Sequence, residues 1–426
     1  MPRGTAISAV ATHPAEAAQA AHTANAATEA ASVRARFVQT KGKIGAPMAL
    51  TSYDLRDALS KLDRETRTKL DAHGFSVDRL VRLAATLGEG DAEARRDARN
   101  RVASARAPEP GEILEAPRRD DDALRARGLE ALRAGKLAFC VMAGGMATRM
   151  GGVVKALVEV DGGATFLDVR LRENERASER AGRPVPLWIM TSDATDGPIR
   201  AALRERRAPE HVRTFVQDLS LRLTETGELF VDASGRPSTY APGHGDLPDA
   251  LVRSGLLAEH VAAGGEDVWI TNVDNLGATL DDALLGFFLA SGKELMVEVT
   301  DKVEGDRGGI PVWASDRLQV LEEFRLPKTF DATTVRVFNT NTFLVRARAL
   351  LEARIEWTFF EVEKKVDGKT AVQFERLLQE LTRALGTVYV RVPRAGAESR
   401  FLPVKDPVEL ERRRPEIRAV VETRIA

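Results

Sequence analysis

The chain has 426 residues, room for two or three domains, and its 43% hydrophobic and 29% charged content is that of an ordinary globular protein. With 62 basic and 63 acidic side chains the net charge is −1, so a bulk electrostatic grip on nucleic acid or on a membrane surface is not expected. One cysteine, Cys140 in the apolar run LAFCVMA, makes no intrachain disulfide and no Cys-cluster metal site; a buried thiol and a reducing, cytoplasmic setting are expected. No apolar run reaches the roughly 18–20 residues of a membrane span.

Residues 1–48 are Ala-rich, without a continuous apolar segment. They read as a disordered tail, with a transit peptide as the alternative. From 49 to 135 the grammar is helical: a helix from Ser52 to a stop at Gly74, a second capped by Ser76, and a third in DALRARGLEALRAGK after a charged stretch with three prolines. This part carries no recognisable chemistry. At 137 the period changes. LAFCVMAGG, PLWIMTS (186–192), VRTFVQD (212–218), DVWITNVDN (267–275) and LMVEVTDK (295–302) read as strands, separated by helical stretches such as TFLDVRLRENERASERAG and DLPDALVRSGLLAEHVAAGG. Strands alternating with helices predict an α/β fold with a largely parallel sheet covered on both faces. Ligands then belong at the carboxyl ends of the strands, where the unusual motifs fall.

VMAGGMATRMGGVVKAL (141–157) places a glycine-rich loop after a strand, followed by a lysine. Glycines let backbone N–H groups turn toward a polyphosphate, and Arg149 and Lys155 can add charge against it. The loop lacks the Gly-Lys-Ser/Thr ending of a Walker loop and the Gly-x-Gly-x-x-Gly spacing of a dinucleotide site. A tight strand-to-helix turn without a ligand has the same composition. In TNVDNLGATLD, Asp274 can hold a hard cation such as Mg²⁺, and Asn272 and Asn275 suit sugar hydroxyls; an Asx-rich helix cap is the alternative. In YAPGHGD, His244 stands between two glycines, open to a phosphate unless it is an ordinary surface histidine.

In this order the motifs resemble the eukaryotic-type family of UTP–glucose-1-phosphate uridylyltransferases (UDP-glucose pyrophosphorylases). The likeness runs from about 137 to 408 through AGGMATRMGG, MTS, FVQ, PGHGD, NVDNLGATLD, VTDKVEGDRGGIP, FNTNTFLV, EKKVDGKTAVQFE and RFLPVK. PGHGD, DNLGA, FNTN and RFLPVK separate it from the related UDP-N-acetylhexosamine pyrophosphorylases. The resemblance implies a Rossmann-like, mostly parallel GT-A-like sheet in a catalytic domain over 136–350, with the helical segment 49–135 before it and a small C-terminal lobe, 351–426, completing the site. It implies UTP and glucose 1-phosphate as substrates, UDP-glucose and pyrophosphate as products, Mg²⁺ as cofactor, and no nucleic-acid or membrane partner.

Residue by residue, the resemblance matches Gly144 and Gly145 to the nucleotide loop. Met190, Gln217 and Gly243 match the uracil pocket, and His244 a position near the phosphates. Asn272, Glu298, Gly309, Phe338, Asn339 and Asn341 match the hexose site; Asp274 matches the metal position. Lys155 and Lys405 match the lysines at the reacting phosphates; Arg149 joins them as a catalytic candidate by its charge in the loop. Three features depart from the family: Ala147 followed by Thr148 in the loop, a stretch before Lys155 about one residue short, and Arg307 where a lysine precedes the paired glycines. The chain also ends soon after RFLPVK, without room for a C-terminal β-helix. A same-fold enzyme for another hexose 1-phosphate, and a UDP-sugar-binding paralogue without turnover, are the alternatives.

Overall fold

The apolar run at Leu137–Met142 forms a strand buried at every position, as a parallel strand covered on both faces requires. It lies inside an eight-stranded sheet in a computed structural model that describes residues 48–88, 91–147 and 151–425. The expected tail over 1–48 falls almost wholly outside the described residues, as do Thr148 and Arg149. In chain order the sheet strands are β1 (Ile113–Glu115), β2 (Leu137–Met142), β3 (Leu187–Thr191), β4 (Val212–Val216), β5 (Asp267–Asn272), β6 (Leu295–Asp301), β7 (Val337–Arg346) and β8 (Thr387–Arg391). Their spatial order is β1-β8-β6-β7-β5-β2-β3-β4. Every neighbouring pair is parallel except the two that β7 makes, with β5 and β6.

Alternation divides each strand between two cores. Phe139, Val141, Leu187, Ile189 and Trp269 face one side, under the helices Asp122–Arg133, Phe166–Ala181, Asp282–Ser291 and Pro407–Val420. Ala138, Cys140, Trp188, Met190 and Ile270 face the other, against the helices Leu247–Arg253 and Leu256–Ala262 and the hairpin Ile310–Leu321. Two helices of the first face cross through glycines: a Cβ on Gly286 would stand 1.9 Å from the Leu124 carbonyl oxygen, and one on Gly128 the same distance from that of Asp282. Cys140 is fully buried, and burial pushes its thiol far above the ordinary range, so it is an inert core residue.

The chain divides between Ala49 and Leu50, and Leu50–Ala426 forms one compact unit. The boundaries expected at 135 and 350 therefore do not separate bodies: the N-terminal segment supplies β1 and the C-terminal part supplies β8. The single helix expected over 52–74 is two, Met48–Ser60 and Arg64–Ala72, because Asp63 caps a new start by accepting from the Thr66 N–H at 2.8 Å. Ser76 caps Val77–Ala84 as expected. Leu55, Leu59, Leu70 and Leu80 bury against Leu221, Leu223 and Phe374, so these helices cover the loops behind the site. Among the described residues no helix is long and apolar enough to cross a membrane.

Candidate active site

The loop after β5 is built on a buried arginine. Arg170 donates to the carbonyls of Asn272 (3.1 Å), Asn275 (2.6 Å) and Ala278 (3.3 Å), which fixes the turn that carries Asp274. Asp274 forms an ion pair with Lys155, so the carboxylate and the loop lysine of the sequence motifs meet. Lys155 reaches it because Met146–Ala147 pairs antiparallel with Val153–Val154, and the Lys155 N–H then donates to the Gly145 carbonyl at 3.2 Å. Ala147 is buried in that pair of short strands. A Cβ on Gly145 would meet nothing within 4 Å among the described residues, so their packing does not demand a glycine there.

β7 enters the sheet antiparallel and bulges. Glu298 pairs with Thr342 and Val299 with Asn339, leaving Thr340 and Asn341 as extra residues. Asn341 takes φ +60°, a conformation asparagine tolerates better than most residues. Its N–H donates to Asn339 Oδ1 at 2.9 Å, and its side-chain amide donates to Asn272 Oδ1 at 3.1 Å, tying β7 to the end of β5. The Asn339 N–H donates to the Gly309 carbonyl at 2.8 Å. Phe338 packs edge-to-face on Phe401 with centroids 5.2 Å apart, closing the bottom of the space between.

The Pro242–Asp246 turn is pressed on the backbone of Arg376. Gly243 has φ +100°, and a Cβ there would come within 2.7 Å of the Arg376 carbonyl oxygen; one on Gly245 would come within 2.6 Å of the carbonyl carbon. His244 Nδ1 accepts from the Leu378 N–H at 2.9 Å, which leaves Nε2 to carry the ring proton. Burial pushes its pKa down to about 4, so the ring is neutral and Nε2–H is a donor. Across the turn, Gln217 at the end of β4 has its Oε1 where a Cβ on Gly144 would meet it at 2.9 Å, and its side-chain amide makes no hydrogen bond within the described residues. Met190 is core, clustered with Phe215 and Leu247, and its carbonyl accepts from the Ala143 N–H at 2.8 Å.

One cleft of about 300 Å³ gathers Lys155, His244, Asn272, Asp274, Gly309, Phe338, Asn339, Asn341 and Lys405, nine of the residues singled out by sequence. Gly144 and Gln217 adjoin each other outside its walls, and Gly243 lies beneath His244. Glu298 is not there. It is 1% exposed, and Arg400 takes both its oxygens, at 2.8 and 2.7 Å, so it cannot reach a hexose; the pair instead anchors the RFLPVK segment beside the cleft. The carboxylate that lines the cleft besides Asp274 is Glu322, which accepts from Gln379 Nε2 at 2.6 Å and whose pKa burial raises. Sequence reading missed Glu322 and Gln379; VLEEF and LLQEL carry no spacing that marks them. Arg307, noted only as a departure, lines the cleft and, like Lys405, makes no ion pair among the described residues. A larger cavity of about 640 Å³ opens at the β1–β8 edge; Asp281, Asp301 and Arg400 of the motifs line it, but none of the candidate site residues does.

Chemically, the cleft offers three cations, a neutral histidine donor, amides spaced for hydroxyl groups, and one carboxylate at a strand end. Among the described residues no three His, Cys, Asp or Glu side chains converge as a metal cage. Comparison with known sequences gives a match to the UTP–glucose-1-phosphate uridylyltransferase family over residues 103–411. The chain belongs to this family. The uridylyltransferase of Saccharomyces cerevisiae is 33% identical over 291 residues, 63% of this chain and 57% of that protein. That of Solanum tuberosum is 32% identical over 294 residues, 65% and 60% of the two chains. That of Hordeum vulgare is 29% identical over 375 residues, 84% and 75%. The chain thus spans less than two thirds of the first two uridylyltransferases it matches. Among solved structures, a UDP-glucose pyrophosphorylase variant from Leishmania major superposes with TM-score 0.65 at 24% identity, covering 86% of this chain and 79% of that one. A UDP-N-acetylglucosamine pyrophosphorylase from Trypanosoma brucei gives 0.63 at 20%, covering 88% and 85%. The fold is that of these nucleotidyltransferases.

Proposed function

We propose that the protein transfers uridylyl from UTP to glucose 1-phosphate, giving UDP-glucose and pyrophosphate reversibly. The observation that carries the reading is the cleft itself, in which Lys155, Lys405 and Arg307 line the same space as Asp274, with Asn272, Asn339 and Asn341 beside them. A phosphate oxygen of the sugar phosphate attacks the α-phosphorus of UTP in line, and the bond to pyrophosphate breaks. The attacking group is already an anion, so no protein nucleophile is required. The residues supply position and charge. Lys155 and Lys405 neutralise the phosphates, the His244 Nε2–H donates to them, and Gly144 and Gly145 let the backbone approach. Arg149 belongs to the same loop by sequence. Gln217 and the backbone at Gly243 read uracil, and the three asparagines with Glu322 hold the hexose.

Asp274 would hold Mg²⁺. A single carboxylate fits an ion that keeps water and phosphate oxygens as its remaining ligands, and the bound ion would offset charge on the α-phosphate. Lys155 already sits on that carboxylate, so cation and lysine would share it. We place the protein in the cytoplasm on its composition. The deciding experiment measures pyrophosphate release with UTP, with and without Mg²⁺, across a panel of sugar 1-phosphates. Mg²⁺-dependent release with glucose 1-phosphate is expected. Preference for another sugar would reassign the hexose, and UDP-glucose binding without release would make the chain a sensor.

A further inference from the structure

Arg376 lies at 1% exposure, yet three carboxylates from two different segments converge on it. Its Nε donates to Asp246 at 2.7 Å and an Nη to Asp218 at 2.9 Å, while the other Nη reaches Asp249. The guanidinium also stacks near the rings of Trp357 and Phe359, 5.4 and 5.5 Å from their centroids. Asp218 directly follows Gln217, and Asp246 ends the turn that holds Gly243 and His244. The Arg376 backbone grips that same turn: its N–H donates to Pro242 at 2.7 Å, and its carbonyl accepts from Gly245 at 3.1 Å. One residue therefore sets the distance between the two elements proposed above to read the base.

Asp218 has other cations, Arg253 at 2.6 Å and Arg79 at 3.6 Å. Asp246 has none besides Arg376 among the described residues, and its second oxygen is buried without a partner. A planar fork can bridge several carboxylates at fixed angles; an ammonium cannot. We infer that Arg376 is a positioning residue for base choice, holding Gln217 and the Gly243–His244 turn at the separation that admits uracil, without touching the substrate itself. The inference rests on the uridylyltransferase reading and specifies which residue tunes it.

The test compares wild type with Arg376→Lys, which keeps the charge but not the fork, and with Asp249→Asn, which loosens one anchor at a half-exposed partner (49% exposed). Forward rates are measured with UTP and CTP as alternative nucleotides, together with KM for glucose 1-phosphate. In Arg376→Lys the ratio of kcat/KM for UTP over CTP should fall by about tenfold or more through KM for the nucleotide. KM for glucose 1-phosphate should change less than about threefold, a split that general loosening of the fold would not produce. Asp249→Asn should show the same pattern, weaker, and it decides the matter if the lysine variant does not fold. An unchanged ratio in a folded variant overturns the role of Arg376. A wild-type protein that turns over no nucleotide, or prefers another base, overturns the uridylyltransferase reading instead.

Discussion

Asp274 is the residue on which the proposed chemistry concentrates. Asp274→Asn keeps its shape but loses the charge facing Lys155, and by analogy with lost oxyanion donors should cost roughly 3–4 kcal/mol of transition-state stabilisation, a few-hundred-fold in turnover. Less than a tenfold loss at saturating Mg²⁺ would rule it out as the metal ligand. His244 makes a second prediction. Its folded pKa, about 4, lies below the 6.5 of a free imidazole, so the folded state binds fewer protons than the unfolded chain. The stability this represents is complete above pH 6.5 and is lost as pH falls through about 4. The His244 ring signal, assigned by its absence in His244→Gln, should titrate near 4; a midpoint near 6.5 would mean that the ring is not buried in solution. At this scale sequence showed most of the cleft, since strand-end Asn, Asp, His and Lys residues announce themselves by type and company. It could not distinguish Glu298 from Glu322, because the arginine that occupies Glu298 lies 102 positions away.

The bulge in β7 is the element that shapes the sugar wall. A β-branched residue in the φ +60° conformation of Asn341 is strained, so Asn341→Val should lower stability by about 1–3 kcal/mol in urea titrations. Asn341→Gly accepts the same backbone and should stay near wild-type stability, yet lose the amide on Asn272 and raise KM for glucose 1-phosphate. If both variants lost stability equally, the conformation would not be the reason for asparagine here. β2, β3 and β5 were legible because buried parallel strands are near-continuous apolar runs. β7 was not, since VFNTNTFLVR interrupts its apolar pattern with the very asparagines that the bulge turns into the cleft. β1 is three residues inside a charged stretch and gave no periodic signal. β8, TVYVR, buries all three of its central residues and was simply short.

At the scale of the molecule, every described residue lining the cleft belongs to Leu50–Ala426. Deleting residues 1–45 should therefore leave kcat and both KM values within about twofold, and a large loss from a folded truncation would place part of the tail in the site. Sequence conveyed the alternation of strands and helices but not that both ends of the chain join one sheet, because pairings such as β1 with β8 depend on partners far apart in sequence. The position of β7 has a consequence for synthesis. Until residue 346 has left the ribosome, β5 and β6 lack the strand that joins them, and each presents an open edge to its surroundings. The apolar rows of both strands are complete by residue 301, so the nascent chain carries adhesive edges well before it can close them. Protection by a holding chaperone, or slow rather than fast refolding from denaturant, is what such a late central insertion asks of the cell.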